Sequence, residues 1–75
     1  MTLNEVKANT KCFVKEINIF DEPTKIRIME LGVVPNVKIS IIKKSLLKKT
    51  LLIAFASSLF TIKSSMAQSI VVEYA

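Results

Sequence analysis

Short runs of alternating apolar and polar residues make up most of this sequence, and turn-forming residues separate them. Alternation with a period of two is typical of a β-strand that buries one face. We predict five such strands, with a single short helix after the first. They cover residues 13–19, 37–42, 51–56, 59–63 and 70–74. This order predicts a mainly β protein, a small and strongly bent antiparallel barrel whose closure removes exposed strand edges.

The first strand and the helix give predictions about buried faces. In the first strand Phe13 alternates in step with Ile17 and Ile19, so we expect all three on the buried face. Asp21 or Glu22 can cap the helix that follows, and Pro23 fits its first position, where the missing amide proton has no intrahelical partner. Ile26 and Met29, three residues apart, are expected on the buried side of the helix.

Gly32 is the only glycine of the chain, and it follows Leu31 at the expected end of the helix. Glycine at this place is typical of a left-handed helix cap, because any residue with a Cβ is strained there. Leu31, Val33, Val34 and Pro35 have two interpretations. They form a helix cap followed by a turn, or they form an apolar patch that docks a partner.

Composition excludes several classes of function. The chain has 75 residues, enough for one domain covering residues 1–75 and too few for separate catalytic and substrate domains. Histidine is absent and Cys12 is the only cysteine, so zinc sites, haem ligation and histidine-based catalysis cannot be built. No two acidic residues have EF-hand spacing. We therefore predict no catalytic residue, no metal ligand and no cofactor, and a reducing compartment.

The net charge of +5 is unevenly distributed. Five of the six acidic residues lie between Glu5 and Glu30, and residues 31–72 contain six lysines and no acid. Such asymmetry suggests an acidic partner, an anionic membrane surface or nucleic acid. A solvated basic face that keeps a small apolar protein in solution explains it equally well.

Residues 43–49, which we call the hairpin tip, concentrate this charge around two leucines. We predict a turn-like connection here. Its lysines either stay in solvent and protect the apolar strand that follows, or they meet an acidic partner or anionic headgroups. The paired leucines also leave weak self-association open. The candidate binding residues of the tip are Lys43, Lys44, Leu46, Leu47, Lys48 and Lys49.

The apolar run that follows the tip imitates a secretory signal, with small residues before Gln68. Residues 50–62 are 13 in number, whereas a helix needs about 18 or more apolar residues to cross a bilayer. We predict two adjacent strands and no transmembrane segment. An amphipathic segment at a membrane surface remains the alternative.

Residues 26–39 resemble the central signature of the FeoA family, with the closest fit in MELGVVP at residues 29–35. The looser similarity runs over nearly the whole chain, and residues 64–72 are similar to the final segment of the family. Asn9 and Asn36 stand where the family usually has glycine, and Ser57 and Ser58 replace a common glycine-containing turn. The Leu-Gly-x-x-Pro core also occurs in the SH3-like domain of some metal-dependent repressors, but the length favours the stand-alone form.

The resemblance implies an SH3-like barrel and a non-catalytic accessory role in ferrous iron uptake. FeoA-family proteins work with FeoB, a membrane iron transporter with a cytoplasmic GTP-binding domain. The implied partner is the cytoplasmic part of such a transporter, and we expect the 31–35 loop and the hairpin tip to bind it. The implied location is the cytoplasm, with recruitment to the inner face of the membrane. The alternative is a basic SH3-like module that binds nucleic acid or another acidic partner. Aromatic residues make up 7% of the chain, which disfavours nucleic acid because base stacking needs more of them.

Overall fold

The structure, a computed structural model, describes residues 1–75 and contains five strands, two helices and one 3₁₀ turn. The 3₁₀ turn covers Leu3–Glu5. The other elements are, in chain order, β1 (Thr10–Ile17), α1 (Glu22–Glu30), β2 (Lys38–Ser45), β3 (Thr50–Phe55), β4 (Ser58–Lys63), α2 (Ser64–Ala67) and β5 (Ile70–Tyr74). The predicted order of five strands with a short helix after the first is confirmed, and α2 adds a single helical turn before β5. Neither α1, with nine residues, nor α2, with four, can span a bilayer.

The five strands form one antiparallel sheet with the order β4-β3-β2-β1-β5. The sheet is bent, as predicted, but it is not closed, so the expectation that closure removes the edges was wrong. Other segments cover part of the gap between the two outer strands. Thr2 bridges to Val71, and the amide of Val72 donates to the carbonyl of Met1 over 2.8 Å. Helix α2 contacts both β4 and the 3₁₀ turn.

A bulge in β1 reverses the predicted alternation. The register against β5 shifts immediately after Val14. Before the shift Cys12 and Val14 are buried and Phe13 is half-buried, whereas after it Ile17 and the following Ile19 are buried. The prediction that Phe13 shares the buried face was therefore wrong. An extra residue in a strand moves every later side chain to the opposite face, and alternation alone cannot reveal it.

The β2–β3 hairpin is longer than predicted. Lys43, Lys44 and Ser45 belong to β2 and pair with β3, so the connection is only the four residues 46–49. The hairpin of β3 and β4 is confirmed, but it turns at Ala56 and Ser57, one residue earlier than expected.

Helix α1 begins as its sequence predicts. The carboxylate of Asp21 accepts hydrogen bonds from the amide of Thr24, over 3.1 Å, and from the Thr24 hydroxyl. Pro23 is the second helical residue and not the first as predicted, because Asp21 is the cap and Glu22 opens the helix. Its missing amide proton still leaves no intrahelical bond unmade. Only Ile28 is buried in this helix, so the prediction that Ile26 and Met29 face the core was wrong.

The core consists of 16 buried side chains, and none of them is polar or charged. All five strands contribute to it, together with the 3₁₀ turn and both helices. Its members are Leu3, Val6, Cys12, Val14, Ile17, Ile19, Ile28, Val33, Ile39, Ile41, Leu51, Ile53, Ile62, Ala67, Ile70 and Val72. Every reactive or charged group is therefore excluded from the interior except the Cys12 thiol.

Candidate interaction surfaces

The 31–35 loop begins with the predicted left-handed cap. Gly32 has φ of +103°. Its amide donates to the carbonyl of Met29 over 3.0 Å, and the amide of Val33 donates to the carbonyl of Ile28 over 3.3 Å. These two bonds form a Schellman motif, which satisfies carbonyls that the end of the helix leaves free. The helix thus ends at a fixed point, and the loop leaves it in a fixed direction.

Side chains of the 31–35 loop alternate between core and solvent. Val33 is buried, Val34 is half-buried, and Leu31 and Pro35 are exposed. Val33 therefore packs in the core as the cap interpretation expects, whereas Leu31 and Pro35 are exposed to solvent. Sequence reasoning could not separate them, because the cap and the patch use the same residue types.

Three further apolar side chains, in α1 and just before it, are exposed, and the sequence pattern did not indicate them. Phe20 precedes α1 and is fully exposed, while Ile26 and Met29 lie on the outer face of the helix, 52% and 39% exposed. Residues three apart on a helix share a face, so Ile26 and Met29 are neighbours there. Exposed apolar groups of this kind mark interaction sites when they are contiguous.

The hairpin tip carries its two leucines entirely in solvent. Leu46 and Leu47 are 88% and 97% exposed at the turn between β2 and β3. The amide of Lys48 donates to the hydroxyl of Ser45 over 3.3 Å, and Lys49 takes the left-handed conformation, with φ of 53°, that returns the chain to β3. The turn is therefore built by backbone geometry and one serine, and the leucines make no contribution to the core.

Lys44 differs from the other lysines of the tip. Its ammonium donates to the carbonyl oxygens of Asn4, over 2.7 Å, and Val6, over 3.1 Å. It is half-buried and ties β2 to the segment around the 3₁₀ turn. The structure therefore gives Lys44 a role within the fold, which the sequence does not reveal because the two carbonyls lie about forty residues earlier in the chain.

The remaining tip lysines form no ion pair with a carboxylate. Lys43, Lys48 and Lys49 are exposed, and the single ion pair of the molecule joins Lys15 to Glu73 over 3.6 Å on other strands. Beside the tip lies an open depression of about 400 Å³. Its lining contains neither an apolar nor an acidic residue: Lys48, Lys49, Thr50, Lys63, Ser64, Ser65 and Gln68.

No three residues among cysteine, aspartate and glutamate come together where they could hold a metal ion. Burial raises the pKa of the Cys12 thiol, which keeps it protonated and a poor nucleophile.

These features define a bent, mainly β fold of the SH3-like kind. The family model for the FeoA domain matches residues 1–74, and the chain belongs to the FeoA family. Among proteins with curated functions, none matches the sequence significantly.

Solved structures of FeoA proteins share the fold. The FeoA protein of Chlorobium tepidum superposes with a TM-score of 0.91 at 24% identity, over 99% of this chain and 70% of that one. A FeoA-like protein of Clostridium acetobutylicum gives 0.84 at 26% identity, over 99% and 85%. FeoA of Stenotrophomonas maltophilia, solved in complex with zinc, gives 0.84 at 25% identity, over 97% and 89%. That protein is described as a prokaryotic SH3-domain protein and a candidate ferrous iron transport activating factor.

Proposed function

We propose that this chain is a non-catalytic accessory protein of ferrous iron uptake, which binds and modulates the cytoplasmic part of a FeoB-type membrane transporter. The observation that carries the proposal is the match of the FeoA family model over residues 1–74. The candidate role of the Stenotrophomonas maltophilia relative as a transport activating factor agrees with it. The protein acts in the cytoplasm, at the inner face of the membrane that holds the transporter.

The inventory of side chains supports an accessory role in which iron is the cargo of the transporter. Imidazole, thiolate and clustered carboxylate are the usual protein ligands of Fe(II). This chain has no histidine, its one thiol is buried, and its carboxylates do not cluster. Its effect on transport then comes from the surface that it presents to the transporter.

The docking surface in this proposal is the exposed part of the 31–35 loop with the outer face of α1. Leu31 and Pro35 are exposed, Val34 is half-buried, and Ile26 and Met29 add apolar area nearby. The Schellman motif at Gly32 fixes the loop before binding, which lowers the entropy lost in the complex. Val33 and Lys44 do not belong to this docking surface, because Val33 is buried and the Lys44 ammonium is bonded to the carbonyls of Asn4 and Val6.

A capture experiment tests the proposal. The immobilised cytoplasmic domain of the transporter is incubated with this protein, without lipid, in GDP or in a non-hydrolysable GTP analogue. We expect specific capture that Leu31→Ser weakens at least fivefold, an effect of about 1 kcal/mol. The matched control is Leu59→Ser, which removes a leucine that is 66% exposed on β4.

Absence of capture in both nucleotide states would refute the proposed partner. Equal weakening by Leu31→Ser and Leu59→Ser would keep the partner and reject the 31–35 loop as the docking surface. Thermal melts of both variants establish that they remain folded.

A further inference from the structure

We infer that the hairpin tip binds an anionic phospholipid bilayer, with Leu46 and Leu47 entering the headgroup region and the surrounding lysines contacting lipid phosphates. The inference rests on the proposed function only in placing the protein beside a membrane. The inference assigns a lipid ligand to the hairpin tip, for which the sequence left both an acidic protein and anionic headgroups as possible partners.

Leu46 and Leu47 are apolar and exposed at a place where the fold does not need them. Two adjacent leucines that are 88% and 97% exposed at the end of a hairpin have no intramolecular reason to be apolar, because the turn is closed by Ser45 and by the left-handed Lys49. Leucine gains by leaving water, and the acyl boundary of a bilayer accepts an apolar side chain from a protruding loop without a complementary pocket.

The lysines around the two leucines have no acidic partners. Lys43, Lys48 and Lys49 flank the leucines in sequence. Lys63 lines the depression beside the tip together with Lys48 and Lys49. None of them has a carboxylate partner, since the molecule's one ion pair involves Lys15 and Glu73. Lysine is depleted at protein–protein interfaces, whereas clusters of basic residues beside apolar groups are typical of anionic membrane surfaces. This composition favours lipid over an acidic protein.

Hydrogen bonds hold the hairpin tip in place. The base of the hairpin is fixed on both sides, by the Lys44 ammonium on the carbonyls of Asn4 and Val6 and by the amide of Ser64, which donates to the carbonyl of Lys49 over 2.9 Å. The leucines thus project from a rigid support. The adjacent depression of about 400 Å³, lined by lysine, serine and threonine side chains, offers donors to a headgroup phosphate.

Sedimentation with vesicles tests the inference in the absence of any transporter. We expect the protein to pellet with phosphatidylcholine vesicles that contain phosphatidylglycerol, to remain in solution with pure phosphatidylcholine, and to dissociate as NaCl is raised. Replacing Leu46 and Leu47 together by serine is expected to weaken binding about tenfold. Leu59→Ser is the matched control and should change it less than about twofold.

A charge-matched pair of variants tests the lysines. Lys43, Lys48 and Lys49 replaced together by glutamine should weaken vesicle binding about a hundredfold, because each lysine near an anionic surface contributes roughly a factor of five. Glutamine at Lys11, Arg27 and Lys38 removes the same charge from exposed positions outside the tip and should weaken binding much less. Equal losses in the two triple variants would overturn the inference.

Fluorescence gives a second readout. The chain contains no tryptophan, so Leu47→Trp places a single reporter at the tip. Its emission should shift to shorter wavelength on addition of the phosphatidylglycerol vesicles, whereas Leu59→Trp should not shift.

The inference would also be overturned by the absence of pelleting with phosphatidylglycerol vesicles at low salt, by pelleting that serine at Leu46 and Leu47 does not affect, or by an unshifted Leu47→Trp spectrum. Loss of capture by the lipid-free transporter domain in the tip variants, with vesicle binding unchanged, would assign the tip to a protein partner and overturn it as well. Failure of capture by that domain with vesicle binding intact would refute the proposed function and leave this inference standing.

Discussion

The ring of Phe55 on β3 occupies the space that a side chain at Gly32 would need. A Cβ built at Gly32 would lie 2.5 Å from Cε1 of Phe55, far inside van der Waals contact. Gly32 also has φ of +103°, which L-residues rarely adopt. The end of α1 is therefore fitted to β3 by two independent constraints, one from the backbone and one from packing.

Gly32→Ala is expected to destabilise the protein by more than about 1 kcal/mol, because it adds backbone strain and a contact with the ring. For a domain of this size the melting temperature should fall by about 4 °C or more. Chemical denaturation and a thermal melt measure both quantities. The double variant with Phe55→Leu should recover part of the loss, and an unchanged stability of Gly32→Ala would contradict the cap.

Ala56→Gly is expected to stabilise the protein by up to about 1 kcal/mol, because a left-handed alanine is strained and glycine is not. Ala56 has φ of 53° in the turn between β3 and β4 and is exposed, so the substitution disturbs no packing. The neighbouring Ser57 is the control, since its φ is not positive and Ser57→Gly should lower the midpoint of urea unfolding. A lower midpoint for Ala56→Gly would contradict the conformation of this turn.

Lys44→Met and Lys43→Met should differ sharply in stability although they remove the same charge from adjacent residues. The Lys44 ammonium satisfies two carbonyl oxygens in a half-buried position, so its removal should cost about 1–3 kcal/mol. Lys43 is exposed and makes no such bond, and its replacement should change the free energy of unfolding by less than about 0.5 kcal/mol. Equal effects in urea denaturation would show that the Lys44 bonds contribute nothing.

Two carboxylates should make the fold sensitive to acid. Hydrogen bonds from the amide and hydroxyl of Thr2 lower the pKa of Glu5, and the hydroxyl and amide of Thr24 lower the pKa of Asp21. A pKa lower in the folded state than in the unfolded chain stabilises the fold above the unfolded value and loses that stabilisation as pH falls. Unfolding free energy should therefore decrease below about pH 4.

The control for this acid effect combines Glu5→Gln with Asp21→Asn. Both replacements keep an oxygen that can accept the same hydrogen bonds, but neither titrates. Denaturation midpoints between neutral and acidic pH should then vary less than in the unmodified protein. An identical pH profile would show that these two caps do not cause the acid sensitivity.

Cys12 should react with thiol reagents only when the fold opens. It is fully buried, and burial raises the pKa of its thiol, so the reactive thiolate is scarce. With excess Ellman's reagent, we expect the coloured thionitrobenzoate anion to be released slowly in native buffer. In denaturant, one equivalent per chain should be released rapidly. Rapid reaction in native buffer would contradict the burial of Cys12.

Much of the fold follows from local sequence, because strands, caps and turns are set by nearest neighbours. The helix cap at Gly32, the hairpin of β3 and β4 and the strand β5 were all predicted in this way. The buried face of β1 was not, since its bulge depends on how β5 pairs with it. The open edges of the sheet were missed for the same reason: closure depends on the relative positions of distant strands.

The interaction surfaces were likewise predicted only where the local sequence determines them. The sequence indicated the leucine pair of the tip, because two leucines within four lysines have no place in a hairpin core. It could not indicate that Lys44 is bound to Asn4 and Val6, nor that Ile26 and Met29 point outward. Both depend on contacts between parts of the chain far apart in sequence, and helical spacing alone does not say which face meets the sheet.

Four residues other than glycine adopt left-handed conformations, namely Asn9, Asn36, Lys49 and Ala56. Each is strained by roughly 1 kcal/mol, but a glycine there would make the unfolded chain more disordered and offset a large part of that amount. Exchanging these residues for glycine should therefore change the free energy of unfolding by at most about 1 kcal/mol. Sequences can therefore diverge at such corners while the backbone path is retained, which is consistent with about one quarter identity to FeoA proteins at TM-scores of 0.84 and above.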